Sequence, residues 1–182
     1  MKVLIVVDMQ NDFITGPLGT PEARAIVPKV KEKIQRAVEN GDYIVFTQDT
    51  HLEDYLNTKE GKKLPVMHCL YQDDGWKLAS ELEIPFTYAH MEFVEKFTFG
   101  SYELVNLLRD SGLARSCNEI ELVGLCTDIC LVSNALLLKA AFYNTMDISV
   151  DATCCAGVTP ETHEAALKTM EMCQINVKRD PQ

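Results

Sequence analysis

Nowhere does the chain stay apolar long enough to cross a bilayer, which sets a membrane-spanning role aside. Basic charge is also scarce: 17 Lys and Arg stand against 27 Asp and Glu, a formal net charge of -10. No local basic block offsets it, and a surface of that sign repels phosphate backbones and anionic headgroups, so neither nucleic acid nor a membrane is expected as a partner. An even cysteine count is missing too. The seven cysteines cannot all pair, and Cys69, Cys126, Cys154 and Cys155 lie in or beside apolar stretches, as reduced thiols of a reducing compartment do. The run from Met1 to Val7 meets Asp8 where a secretory signal would continue with apolar residues, so the expected location is the cytoplasm. Repeats, low-complexity segments and linkers are absent, and 182 residues suit one domain spanning 1–182.

What is present is an alternation of short β-rich runs with helical patterns, bounded by Gly, Pro or Asn. Strands are expected at Val3 to Val7, Tyr43 to Thr47, Glu92 to Val94, Glu119 to Val123, Asp147 to Val150 and Gln174 to Val177. Helices are expected from Pro28 through Glu39, near Trp76 to Leu82, from Tyr102 to Asp110, from Asp128 to Tyr143, and from Pro160 to Met172 with Thr159 as its cap. This βαβ rhythm predicts an α/β fold: a three-layer, doubly wound domain with about six mostly parallel strands.

In such sheets ligands sit outside the carboxyl ends of the strands, so the residues that fall there matter most. Asp8 ends the first strand, Gln48-Asp49-Thr50-His51 follows the second, Lys96 follows the third, and Cys126 to Cys130 follow the fourth. Cys130 stands at the expected start of a helix, where unpaired backbone N–H groups and the positive dipole end favour a thiolate and can hold an oxyanion. Asp8 could take the thiol proton while Lys96 holds the acid and steadies negative charge. On spacing alone the plainer reading stands level: Cys130 as a small core residue, Asp8 as a turn former, Lys96 as a solvated charge.

Three separated segments weigh against the plainer reading. "VVDMQNDF" at 6–13, "EKFTFGSY" at 95–102 and "GLCTDICLVSNA" at 124–135 together resemble the isochorismatase-like cysteine hydrolases, the group that includes nicotinamidases, across nearly the whole chain. The resemblance implies Asp8 as base, Lys96 as its partner and Cys130 as nucleophile. It also implies a cis peptide after Leu125, an oxyanion hole from the backbone N–H groups of Cys126 and Cys130, and a homo-oligomer.

Asp49, His51 and His68 form a second constellation, an Asp-x-His pair and a distant His that can converge on one divalent metal. A histidine in "PVMHCL" is by spacing alone more often a satisfied polar residue at a strand end. Resemblance to the nicotinamidase-like branch implies a metal there that orients the substrate, with Glu60 as a fourth ligand; zinc is expected, and iron or manganese suit the same donors. Leu52, Pro65 and Gln72-Asp73 depart from residues common in that branch, which leaves the acyl substrate more open than the chemistry. Phe13, Trp76 and Tyr102 are the aromatic candidates for gripping a planar ring. The expected reaction is hydrolysis of a small carboxamide, nicotinamide foremost. Metal-free hydrolysis of another amide or of an isochorismate-type enol ether, and a non-catalytic binding protein on the same fold, are the alternatives.

Overall fold

The computed structural model describes residues 1–179, apart from the side chains of Ala114 and Arg115. Six parallel strands form one sheet in the order β3-β2-β1-β4-β5-β6. They are β1 (Val3–Val7), β2 (Tyr43–Asp49), β3 (Met91–Lys96), β4 (Glu119–Leu125), β5 (Asp147–Ala156) and β6 (Asn176–Lys178). The helices are α1 (Asn11–Ile14), α2 (Pro21–Glu39), α3 (Tyr102–Asp110), α4 (Leu113–Ser116), α5 (Val132–Phe142) and α6 (Pro160–Met172).

β1 lies between β2 and β4, and its five apolar side chains are all buried. Because strand side chains alternate, Leu4 and Val6 enter a core shared with Ile26, Val30 and Ile34 of α2. Val3, Ile5 and Val7 enter the opposite core with Leu104 and Leu108 of α3, Leu138 of α5 and Leu167 of α6. Each such side chain contributes roughly 1.5–3 kcal/mol on leaving water, so both faces of β1 hold the three layers together.

The ends of α3 and α6 fall where their caps predict. Ser101 Oγ accepts from Leu104 N, and Thr159 Oγ1 accepts from Thr162 N. α2 corrects an expectation: it begins at Pro21, not Pro28, because Thr20 Oγ1 caps Ala23 N and Pro21 occupies the first turn. Pro28 sits inside the helix on its exposed side, where water can satisfy the carbonyl that loses its donor. The helix expected at Trp76 to Leu82 shrinks to a 3-10 turn at Ser80–Leu82. The segment expected to open one helix at Asp128 is a π-turn, Thr127–Leu131, in which Leu131 N donates to Cys126 O. β5 runs six residues beyond its expected end, and β6 is displaced to Asn176–Lys178.

The peptide bond after Leu125 is trans, as are all those among the described residues, which corrects the cis bond expected there. Trans is the lower-energy form before a non-proline residue, and Cys126 is extended at φ -87 and ψ 141, so β4 passes directly into the π-turn. Gly124, at φ 115, has to be glycine, since a Cβ there would collide with the carbonyl oxygen of Val7 on β1.

Candidate active site

The strand order reverses between β1 and β4, and the carboxyl ends of β1, β2, β3 and β4 deliver their polar residues to one place. Asp8 leaves β1 with φ 47, a left-handed conformation that aspartate tolerates better than bulkier residues. Thr47 Oγ1 donates to its Oδ1 at 2.6 Å. Its Oδ2 is ion-paired with Lys96 Nζ at 2.7 Å, and a carboxylate oxygen with two lone pairs can still accept a proton. Lys96 closes β3, is fully buried, and also reaches Asp49 Oδ1 at 3.1 Å and Cys130 Sγ at 3.3 Å.

Burial governs the titration of this trio. It pushes the Asp8 carboxyl above its ordinary value despite the neighbouring Lys96, and lifts the Cys130 thiol well above 9.0 against the same cation. For Lys96, burial pulls down, but Asp8, Cys130 and Asp49 together hold the ammonium well above its usual range. The resting site therefore pairs a protonated thiol with a permanent cation. A thiolate there needs an acceptor for its proton, and Asp8 is the acid on the other side of Lys96.

On the adjoining side, ligand atoms of Asp49, His51 and His68 lie within 4.8 Å of one another, and all three residues are buried. His68 Nδ1 donates to Val66 O at 2.7 Å, and its Nε2 faces Asp49 Oδ2 at 3.6 Å. His51 Nε2 is 3.0 Å from Asp49 Oδ2 and 3.6 Å from Glu60 Oε1, yet it is buried with no hydrogen-bond partner. An orphaned imidazole nitrogen facing two carboxylates and a second imidazole fits a divalent cation by donor type. Burial raises the Asp49 carboxyl, but His51, His68 and Lys96 more than reverse this and hold it ionised.

A cavity of about 610 Å³ opens over both clusters. Cys126 and Cys130 line it together with Asp49, Glu60, His68 and Phe13. Asp8 and Lys96 do not line it; they reach it through Cys130 and Asp49. The pocket expectation fails for two aromatics. Trp76 donates from Nε1 to Thr50 Oγ1 at 2.9 Å and packs edge-on against Tyr71, while Tyr102, first residue of α3 and 70% exposed, faces solvent. Phe99, Leu18 and Ile129 take up the lining instead.

Three supporting residues escaped sequence reasoning. Gln10 clamps the end of β2, accepting from Asp49 N at 2.7 Å and donating to Asp49 O at 2.9 Å. Thr47 fixes Asp8 as described. Asn134, buried in α5, donates to Cys130 O at 2.8 Å and to Phe99 O at 3.1 Å while accepting from Ser101 N at 2.9 Å, which binds the turn that holds Cys130 to the loop after Lys96. The available signal was a polar residue inside an otherwise apolar run.

Comparison with known proteins places this arrangement in context. The family model for the isochorismatase domain matches residues 2–178. The crystal structure of nicotinamidase PncA from Bacillus subtilis superposes with a TM-score of 0.82 at 30% identity, over 98% of this chain and 99% of that one. Pyrazinamidase of Pyrococcus horikoshii, solved in complex with zinc, gives a TM-score of 0.83 at 27% identity, over 98% and 99% of the two chains. The nicotinamidase/pyrazinamidase of Mycobacterium tuberculosis is 26% identical over 97% of this chain and 98% of its own.

Proposed function

This chain belongs to the isochorismatase family, and we propose that it is a cysteine amidohydrolase cleaving a small carboxamide, nicotinamide or a related planar amide, to the acid and ammonia. The observation that carries this reading is the contact of Lys96 Nζ with Asp8 Oδ2 at 2.7 Å and Cys130 Sγ at 3.3 Å beneath a cavity. Relatives named nicotinamidase over nearly their whole length support it.

In this mechanism the Cys130 thiol gives its proton to Asp8 as sulfur attacks the amide carbon. Backbone N–H groups of Cys126 and Cys130 receive the developing oxyanion, and Lys96 offsets the negative charge gathered around the sulfur. Asp8 then passes the proton to the leaving nitrogen; the C–N bond breaks, ammonia departs, and a thioester remains on Cys130. Water, deprotonated by Asp8, attacks that thioester, which releases the carboxylic acid and restores the thiol. Asp49, His51 and His68, with Glu60 beside them, would hold a divalent ion. Such an ion, when bound, supplies a Lewis-acidic contact for a substrate ring nitrogen or for water. Zinc suits these oxygen and imidazole donors, and iron or manganese suit them too.

No helix among the described residues is long and apolar enough to cross a membrane, and the seven free cysteines support a cytoplasmic site of action. We also propose a homo-oligomer, supported by the exposed stack of Phe86 on Phe93 at the edge strand β3. Ammonia release from a panel of amides and one enol ether tests the reaction class. Turnover of pyridine carboxamides is the expected result; turnover of the enol ether alone would replace the amidase reading.

A further inference from the structure

Cavity size and unpaired charge point to a feature of the substrate beyond its amide. The cavity of about 610 Å³ falls in the roughly 300–1,000 Å³ range that holds drug-sized ligands, far more room than a single pyridine ring with one carboxamide fills. Its charged lining residues differ in kind. Asp49 and Glu60 are engaged with Lys96 and the histidines, whereas Lys59 and Lys63 make no ion pair or side-chain hydrogen bond among the described residues. The turn between them explains why both meet the cavity. Lys62 N donates to Thr58 O, Lys63 N and Leu64 N donate to Glu60 O, and this helix-like winding places residues four apart on one side.

Lys59 and Lys63 bring two unpaired ammonium groups to one cavity in a chain of net charge -10, whose field opposes the approach of any anion. A neutral substrate would need no local relief from that field. The same cavity is lined by Leu18, Leu64, Phe99 and Val158, apolar side chains suited to a hydrocarbon or aromatic connector.

We propose that the substrate is an anionic amide: a carboxamide on a small apolar body that also carries a carboxylate, which Lys59 and Lys63 receive at the cavity rim. This rests on the carboxamide reading above and adds the charge and reach of the molecule. Both lysines are exposed, so each contact is charge-assisted yet screened, and together they are expected to contribute about tenfold in selectivity.

The test uses a matched pair of probes, a pyridine carboxamide with a short alkyl arm ending in a carboxylate, and its methyl ester. kcat/KM for the acid over the ester is read for the full-length protein and for Lys59→Gln/Lys63→Gln, a ratio independent of how much of either preparation is active. The same probes are titrated calorimetrically into Cys130→Ala, with and without the two lysine changes, so binding is read apart from turnover. The expected ratio is about ten, falling toward one in the double variant and as ionic strength rises from about 0.01 to 1 M. Equal or better use and binding of the ester, a preference that survives loss of both lysines, or no binding of either probe would overturn the proposal. Lysine-dependent binding of the acid with neither probe turned over would uphold it and sink the carboxamide reading instead.

Discussion

Cys130, Asp8 and Lys96 meet in one buried cluster, and in the proposed mechanism no member works alone, because burial holds the thiol protonated and leaves its activation to its neighbours. Cys130→Ala is expected to abolish ammonia release with far-UV circular dichroism unchanged, while Cys126→Ala and Cys154→Ala keep most of it. Asp8→Asn removes the proton acceptor and should lower kcat by roughly 100 to 10,000-fold, with Lys96→Met similar. A per-molecule rate preserved in Asp8→Asn would reduce Asp8 to a turn residue. The pH profile follows from the same burial. Asp8 must be ionised to accept a proton, and its carboxyl lies above the ordinary 3.8, so kcat/KM should fall with acidity on a limb displaced upward from a free aspartate. The trio was legible in the sequence because strand ends of an α/β sheet converge. Trp76 and Tyr102 misled because an aromatic side chain does not say which side of its turn or helix it will cover, and Phe99 was hidden in a loop whose path depends on Asn134.

Elements that set these residues in place carry their own consequences. The β2 end and the turns after it bring Asp49, His51 and His68 together from separate segments, and the buried Nε2 of His51 faces Asp49 and Glu60, a donor set that suits the proposed divalent ion. Elemental analysis of protein purified without chelator should find about one zinc, iron or manganese per chain, and His51→Ala or His68→Ala should lose it and raise KM more than they lower kcat. Full activity in chelator with no metal gained on incubation would dismiss the site. β4 holds a second buried charge cluster on its amino-terminal side. Glu121 accepts Lys2 at 2.6 Å and Lys178 at 2.9 Å, with Lys33 at 3.4 Å, and although burial opposes ionisation these cations bring its carboxyl down to about 2. A lowered carboxyl stabilises the fold fully above its unfolded value of 4.5, and that stability is lost as pH falls toward about 2. Thermal melts should record the loss in that window, and Glu121→Gln should be destabilised by about 3 kcal/mol at neutral pH, since it removes the buried carboxylate shared by Lys2, Lys33 and Lys178. Helix ends with side-chain caps, as in α3 and α6, could be read from sequence. The start of α2 was misplaced because two prolines each satisfy the rule for a first turn, although Thr20 before Pro21 is the cap that distinguishes them from the sequence.

For the whole molecule, the parallel sheet with helices on both faces follows from the alternation of strand-like and helical segments, and a fully buried β1 is what such a sheet requires at its centre. Assembly does not follow from periodicity, since it depends on which apolar residues remain outside. Phe86, 73% exposed, and Phe97, 59% exposed, lie at the β3 edge, the contact of the proposed oligomer. Sedimentation should give an oligomer that Phe86→Asp shifts to smaller species, and a monomer at every concentration would reject that assembly. Protein turning over a slow pyridine carboxamide, quenched in acid and digested for peptide mass spectrometry, is expected to carry the acyl group on the peptide holding Cys130 and on none of the other six cysteines. Steady ammonia release with Cys130 unmodified and the acyl group on Cys117, or with full turnover retained by Cys130→Ala, would contradict the account.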